Sequence, residues 1–220
     1  MNVDLKFGRR AAVSGKTRQM VVLLHGYGAD GADLLGLSDP LGPHVPDAVF
    51  YAPDAPDACS GNPFGRQWFG IPRFDGSTQD EAMAGLNRSS GAVNAFLDAR
   101  LAEHGLQPKD LILLGFSQGA MTALHVAPRR AVPIAGVVAI SGRLIAPERL
   151  IPETTSKPPI LLMHGDRDDV VDFKEMALAG DALVAAGFDT YGHVRAGSGH
   201  GIAPDGLQVA LAFMKEQLGV

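Results

Sequence analysis

Ser117 stands between glycines in Gly115-Phe116-Ser117-Gln118-Gly119, where residue type and spacing speak most directly of chemistry. An apolar run, Leu111-Ile112-Leu113-Leu114, precedes it and reads as a buried strand. Ala120 to Ala127 follows and reads as a buried helix ending before Pro128. Strand, Gly-x-Ser-x-Gly, helix is the context of a nucleophile elbow. A sharp turn lifts the serine Oγ above the sheet edge, and the flanking glycines remove Cβ atoms where strand and helix nearly touch. The backbone N–H after the serine belongs to the first helical turn, whose free donors and positive dipole suit an oxyanion. Such a serine would attack a carbonyl carbon.

A serine hydroxyl attacks only when a base takes its proton, and the base needs a third group to orient it. In sheets of this kind the chain order is nucleophile, acid, base. The strand Ile160 to Met163 runs into His164-Gly165-Asp166-Arg167-Asp168-Asp169-Val170-Val171, and a last strand runs into Gly197-Ser198-Gly199-His200-Gly201. Both stretches follow carboxyl ends of strands, where open α/β sheets place their sites. Asp166, Asp168, Asp169 and Asp172 compete as the acid. Asp172 suits a cap for the helix starting near Phe173, and Asp166 suits a turn. Spacing does not separate Asp168 from its neighbours. For the base, His200 lies in a Gly-flanked loop that could swing over the serine, whereas His193 lies within a strand. His25, His44, His104, His125 and His164 show no metal-ligand spacing. The second oxyanion donor should come from Leu24-His25-Gly26-Tyr27-Gly28-Ala29-Asp30-Gly31, after an early strand. That turn is no P-loop, since it lacks the Gly-Lys-Ser/Thr ending, and it lacks G-x-G-x-x-G as well.

These residues need a scaffold that brings distant loops together. Further apolar runs occur at Met20 to Leu24, Ala48 to Tyr51 and Ile134 to Ile140, with a more polar one at Thr190 to Val194. Most are continuous, as strands covered on both faces should be. Helices intervene. Thr78-Gln79-Asp80-Glu81 has capping-box form, and Ala82, Leu86, Val93, Leu97 and Leu101 recur at helical spacing until Gly105. Another helix spans about Phe173 to Ala186, and a terminal one starts near Pro204 and buries Leu207, Ala210, Leu211, Met214 and Leu218. Alternating strands and helices predict an α/β fold with a mostly parallel central sheet flanked by helices. Neither repeat nor linker interrupts the pattern, so one domain over 1–220 is expected. Pro53 to Ser77 breaks the alternation. It is rich in Gly and Pro, carries Phe64, Trp68, Phe69 and Phe74, and reads as a lid or binding loop or as plain packing.

The net charge of −5, without a basic run, argues against nucleic acid and anionic membrane surfaces as partners. Cys59 is the single cysteine, which excludes an internal disulfide and fits a reducing compartment. Met1 to Phe7 lacks the apolar core of a signal peptide, and no apolar stretch spans a bilayer. A cytoplasmic protein is expected.

The residues Leu24-His25-Gly26-Tyr27-Gly28, Gly115-Phe116-Ser117-Gln118-Gly119, His164 to Val171 and Gly199-His200-Gly201 resemble the phospholipase/carboxylesterase family. These are small α/β-hydrolases that include acyl-protein thioesterases and bacterial carboxylesterases. The resemblance runs over essentially the whole chain, and Arg66-Gln67-Trp68-Phe69 resembles the family's Arg-x-Trp-Phe loop. It implies a single α/β-hydrolase domain without a large cap. It also implies Ser117 as nucleophile, Asp168 as acid and His200 as base. Backbone N–H groups of Tyr27 and Gln118 would form the oxyanion hole, and Trp68 and Phe69 would stand beside the acyl chain. Neither metal nor organic cofactor is implied. Asp169 replaces a proline common in the family, and Tyr27 replaces leucine or a small residue. The implied activity is hydrolysis of short- to medium-chain carboxylic esters in a shallow, open pocket. Thioester or lysophospholipid hydrolysis is the alternative. A dienelactone hydrolase would want cysteine in place of Ser117, and an idle binding module would want a broken triad. Partners would be small-molecule esters or thioesters, with no stable membrane insertion, and an apolar rim at the site would suit a homodimer.

Overall fold

The computed structural model describes residues 4–220. Residues 1–3, part of the N-terminal stretch and of the 1–220 domain read above, lie outside the described residues. Strand β1 (Phe7–Arg10) leads to β2 (Gln19–Leu24), the short helices α1 (Gly31–Leu35) and α2 (Ser38–Leu41), and β3 (Ala48–Pro53). A hairpin, β4 (Asp57–Cys59) and β5 (Asn62–Gln67), precedes one turn of helix, α3 (Pro72–Asp75), and the long α4 (Gln79–His104). Then come β6 (Leu111–Phe116), α5 (Gln118–Val126), β7 (Gly136–Ile140), α6 (Leu150–Glu153), β8 (Ile160–Gly165), α7 (Lys174–Ala185), β9 (Thr190–Arg195) and α8 (Pro204–Leu218).

Seven strands form one sheet in the order β1-β3-β2-β6-β7-β8-β9. Only β1 runs antiparallel, against β3; the other neighbours are parallel. Two apolar layers cover its faces. Met20, Val22 and Leu24 point into a core with α4, α5 and α7, whereas Val21 and Leu23 point into a core with α1, α2 and α8. That alternation explains why these strands read as unbroken apolar runs.

The helix signals have direct physical counterparts. The Thr78 hydroxyl oxygen accepts from Glu81 N–H at 3.2 Å, and Thr78 N–H donates to the Glu81 carboxylate at 2.8 Å. Gly105 ends α4 in the left-handed region at φ 64°, which costs glycine little. On α8, Phe213 joins Ala210 and Met214 in the core, while Leu207, Leu211 and Leu218 are only partly buried. Among the described residues, no helix is long and apolar enough to cross a membrane.

Two elements of the fold differ from the sequence reading. Residues 53–77 are not a featureless loop: β4 and β5 pair within them and α3 follows. Strand β1 also went unread, because Phe7-Gly8-Arg9-Arg10 is a mostly exposed edge strand without apolar continuity.

His125 on α5 is buried, and its Nδ1 has no hydrogen-bond partner among the described residues. Burial, reinforced by the Arg129 guanidinium, pushes its pKa down from 6.5 to about 4. The unfolded chain therefore takes up a proton here first as pH falls. The stability contribution is full above about pH 6.5 and drains away towards pH 4. Denaturant unfolding of wild type should lose more stability between pH 6.5 and 4 than that of His125→Gln. Parallel losses would show that His125 does not set this dependence.

Candidate active site

The turn from β6 to α5 builds the first part of the site. Ser117 sits there at φ 52°, ψ −116°, a backbone conformation that side-chain-bearing residues rarely adopt. Its N–H donates to Ile140 O at 2.8 Å, locking the turn to β7. A Cβ on Gly119 would collide with the Leu24 carbonyl, and one on Gly115 would collide with the backbone of Gly119. The strand-to-helix turn can close this tightly only with glycine at both places. Among the described residues, neither the Gln118 N–H nor the Tyr27 N–H has a protein acceptor. The loop carrying Tyr27 is held in place on both sides, by Gly28 N–H to Arg66 O at 2.9 Å and Arg66 N–H to Ala29 O at 2.8 Å.

The loops after β8 and β9 supply the second part. Asp168 is buried, whereas Asp166 and Asp169 are exposed. Asp168 Oδ2 accepts from His200 Nδ1 at 2.8 Å, and Oδ1 accepts from the N–H groups of Val170 at 3.0 Å and Val171 at 2.8 Å. Burial alone would push this carboxyl up. The bonds from His200 and the two backbone N–H groups outweigh it and hold the pKa below the usual carboxylate range. Asp166 takes the turn-forming role, accepting from Gly197 N–H at 2.6 Å and so tying the two loops together. Arg167 N–H to Ser198 O at 2.9 Å adds a second tie. Asp172 accepts from Lys174 N–H at 3.0 Å at the start of α7. His193 stays within β9, paired with Met163.

Ser117 and His200 line one cavity of about 820 Å³. The His200 ring packs on Phe116 with centroids 4.9 Å apart, which places it above the end of β6. No Ser117–His200 hydrogen bond forms in this conformation; bonds of this kind commonly tighten when substrate binds. Leu34, Leu37 and Ile202, which pack with the core layer of α1, α2 and α8, line the cavity together with Met83, Leu86, Met121 and Ile145, which pack with the layer of α4, α5 and α7. Among the described residues, no cap domain stands over it. The walls come instead from residues 69–74, α4 and the segments after β7 and β8. Among the described residues, no three His, Cys, Asp or Glu side chains converge as a metal-ligand set.

Trp68 and Phe69 part company. Phe69 lines the cavity. Trp68 is fully buried and does not line it, so the expectation that it touches an acyl chain is corrected. Its indole Nε1–H donates to His25 O at 2.9 Å, and its ring lies 5.2 Å from the His25 ring. Trp68 therefore backs the loop bearing Tyr27. The Gln118 side chain, whose part the sequence did not disclose, completes this clamp: Oε1 accepts from Trp68 N–H at 2.8 Å and Nε2 donates to Phe69 O at 2.6 Å. The Ser89 hydroxyl donates to the Trp68 carbonyl.

A family model described as phospholipase/carboxylesterase matches residues 11–218. An esterase of Escherichia coli, YpfH, is 29% identical over 199 residues, covering 90% of this chain and 82% of that protein. Acyl-protein thioesterase 1 of Saccharomyces cerevisiae is 30% identical over 228 residues, covering 96% of this chain and 97% of that protein. The crystal structure of esterase PE8 superposes with a TM-score of 0.93 at 45% identity, covering 98% of this chain and all of that one.

Truncating a wholly buried indole costs about 3–5 kcal/mol. Trp68→Ala should lose stability on that scale. In the folded fraction it should lower kcat/KM by a similar factor for acetyl, butyryl and octanoyl esters, because it loosens a shared loop. A change that depends on chain length would return Trp68 to the acyl wall.

Proposed function

The chain belongs to the phospholipase/carboxylesterase family of α/β-hydrolases, and from that premise we propose that it is a serine carboxylesterase using Ser117, Asp168 and His200. The observation that carries the reading is the buried Asp168 bonded at 2.8 Å to the partly buried His200, which lines the cavity that holds the strained Ser117. His200 takes the Ser117 proton as Oγ attacks the ester carbonyl carbon. The carbonyl oxygen gains the charge and lies against the N–H groups of Tyr27 and Gln118, which have no other acceptor to leave. The intermediate collapses, and His200 gives its proton to the departing alcohol. Water then attacks the acyl-serine, passes its proton to His200, and the acid leaves as Ser117 recovers that proton. Asp168 holds the imidazole with Nδ1–H inward, so that Nε2 is free to act, and steadies the cation that forms.

The apolar walls favour acyl chains, and the proposed range is short to medium. A thioester or lysophospholipid would be cleaved by the same steps. The yeast relative, named an acyl-protein thioesterase, supports keeping that second reading. The proposal places the protein in the cytoplasm as one domain over 1–220, on the ground of a single cysteine without a disulfide partner.

Ser117→Ala should cut turnover of p-nitrophenyl esters by roughly 10⁶-fold with the fold retained. A phosphonate or sulfonyl fluoride should label Ser117 alone, read by mass spectrometry of the digest. Near wild-type turnover in Ser117→Ala would sink the reading. Comparing ester chain lengths with acyl-CoA and lysophospholipid separates carboxylesterase from thioesterase or lysophospholipase.

Asp168→Asn should cost roughly 10⁴-fold in turnover, as when the histidine tautomer is lost. Asp169→Asn, at an exposed position, should cost far less. Should Asp169→Asn prove the more damaging, the acid has been misassigned.

A further inference from the structure

Resting on the triad just proposed, a further role follows from the other contacts of Asp168. Oδ1 is held by two backbone N–H groups, and Oδ2 accepts from His200. On Oδ2 there is a further neighbour: His164 Nε2 stands 3.2 Å away. The same nitrogen is 2.9 Å from the Val171 carbonyl oxygen. A carbonyl oxygen only accepts, so Nε2 carries a hydrogen, and that N–H donates to Val171 O while Asp168 Oδ2 lies beside the same nitrogen. Both side chains are shut off from water: His164 is 1% exposed and Asp168 0%. The Phe173 ring packs against the His164 ring, edge on, with centroids 6.0 Å apart.

We propose that His164 is a positioning residue for the reaction, acting through Asp168. A carboxylate turns about a broad, two-fold torsion. The backbone bonds fix Oδ1 but leave Oδ2 with two lone pairs and no backbone partner. The His164 ring, its N–H held by the Val171 carbonyl, stands against Oδ2 on one side and limits that torsion, so Oδ2 stays turned to His200 Nδ1–H. His164 sits within β8 and Asp168 in the loop just beyond it, so the strand itself aims the catalytic acid. The Val171 carbonyl, beside the N–H that binds Oδ1, ties the same imidazole to the loop. One residue thereby fixes the acid and the backbone that holds it.

A double-mutant cycle in the full chain tests this. His164→Leu should lower kcat by about 10- to 100-fold, the scale on which groups behind a reacting residue act, with KM changed less than about twofold. His164→Gln, whose amide N–H reaches the place of Nε2, should restore most of kcat. His164→Asn, whose shorter amide does not reach it, should not. This Gln–Asn contrast carries the test even where the leucine variant fails to fold. In an Asp168→Asn background, His164→Leu should cost nothing further. An equal cost in both backgrounds, a rise in KM alone, or equal activity of the Gln and Asn variants would overturn the proposal while leaving the triad standing. Wild-type turnover in Asp168→Asn by itself would remove the triad reading, and this inference with it.

Discussion

The close approach of three backbone segments at the β6–α5 turn is the constraint on which the site depends. The end of β2, the end of β6 and the start of α5 meet where only glycine fits at 115 and 119. That contact stops Ser117 from relaxing into ordinary backbone geometry and leaves it at φ 52°. It also sets the first turn of α5 against the backbone at the end of β2, and the loop that follows carries Tyr27 into the cavity that Ser117 lines. The strain at Ser117 is a local cost of about 1–3 kcal/mol, offset by the packing of a fully covered sheet. A looser turn would relieve the serine and part α5 from the end of β2.

A buried carboxylate is the second cost, and the fold meets it with donors. Removing a charge from water costs several kcal/mol unless hydrogen bonds replace the lost solvation. Asp168 has N–H donors on both oxygens, and the net effect on its pKa is downward despite burial. The loop that supplies these donors is fastened to the His200 loop by Asp166 and Arg167. Asp168 and His200 thus belong to one unit at the ends of β8 and β9, and Ser117 to another at the end of β6. The parallel register of β6, β7 and β8 fixes their relation.

The sheet was legible because strands covered on both faces must be apolar throughout. Leu111 to Leu114 and Ile160 to Met163 had no other economical reading. The long helix was legible because Thr78 and Glu81 satisfy each other's backbone N–H, a pattern that needs no distant partner. What stayed hidden depends on long-range packing. The part of Trp68 could not be read, since an indole suits an acyl wall and a buried clamp equally. Its N–H to His25 O and the Gln118 amide decide the matter only once β2, β5 and α5 are assembled. The acid was ambiguous by spacing, because Asp166, Asp168 and Asp169 all follow β8 closely. Asp168 alone of the three is buried, with His200 on its carboxylate, and burial belongs to the folded loop. His164 carried a faint signal, four residues before Asp168, but nothing local said that its ring would turn towards it.

Reaction type and substrate range rest on different parts of this molecule. The groups nearest the bond to be broken come from strand ends and the turn after β6, where a shift of one residue would destroy the sheet register. The cavity walls come from Phe69 to Phe74, Met83 and Leu86 on α4, Ile145 after β7 and Val171 after β8. Several of these lie in connections that the sheet does not constrain. Phe74 and Val170, both about half exposed, form an apolar lip there. Substitutions along these walls can alter volume and polarity without disturbing Ser117, Asp168 or His200. Esters and thioesters differ at the leaving group and in the size of what carries it, and those differences are felt by the walls. In this chain such differences would be met by the loops around the cavity rather than by the sheet beneath it.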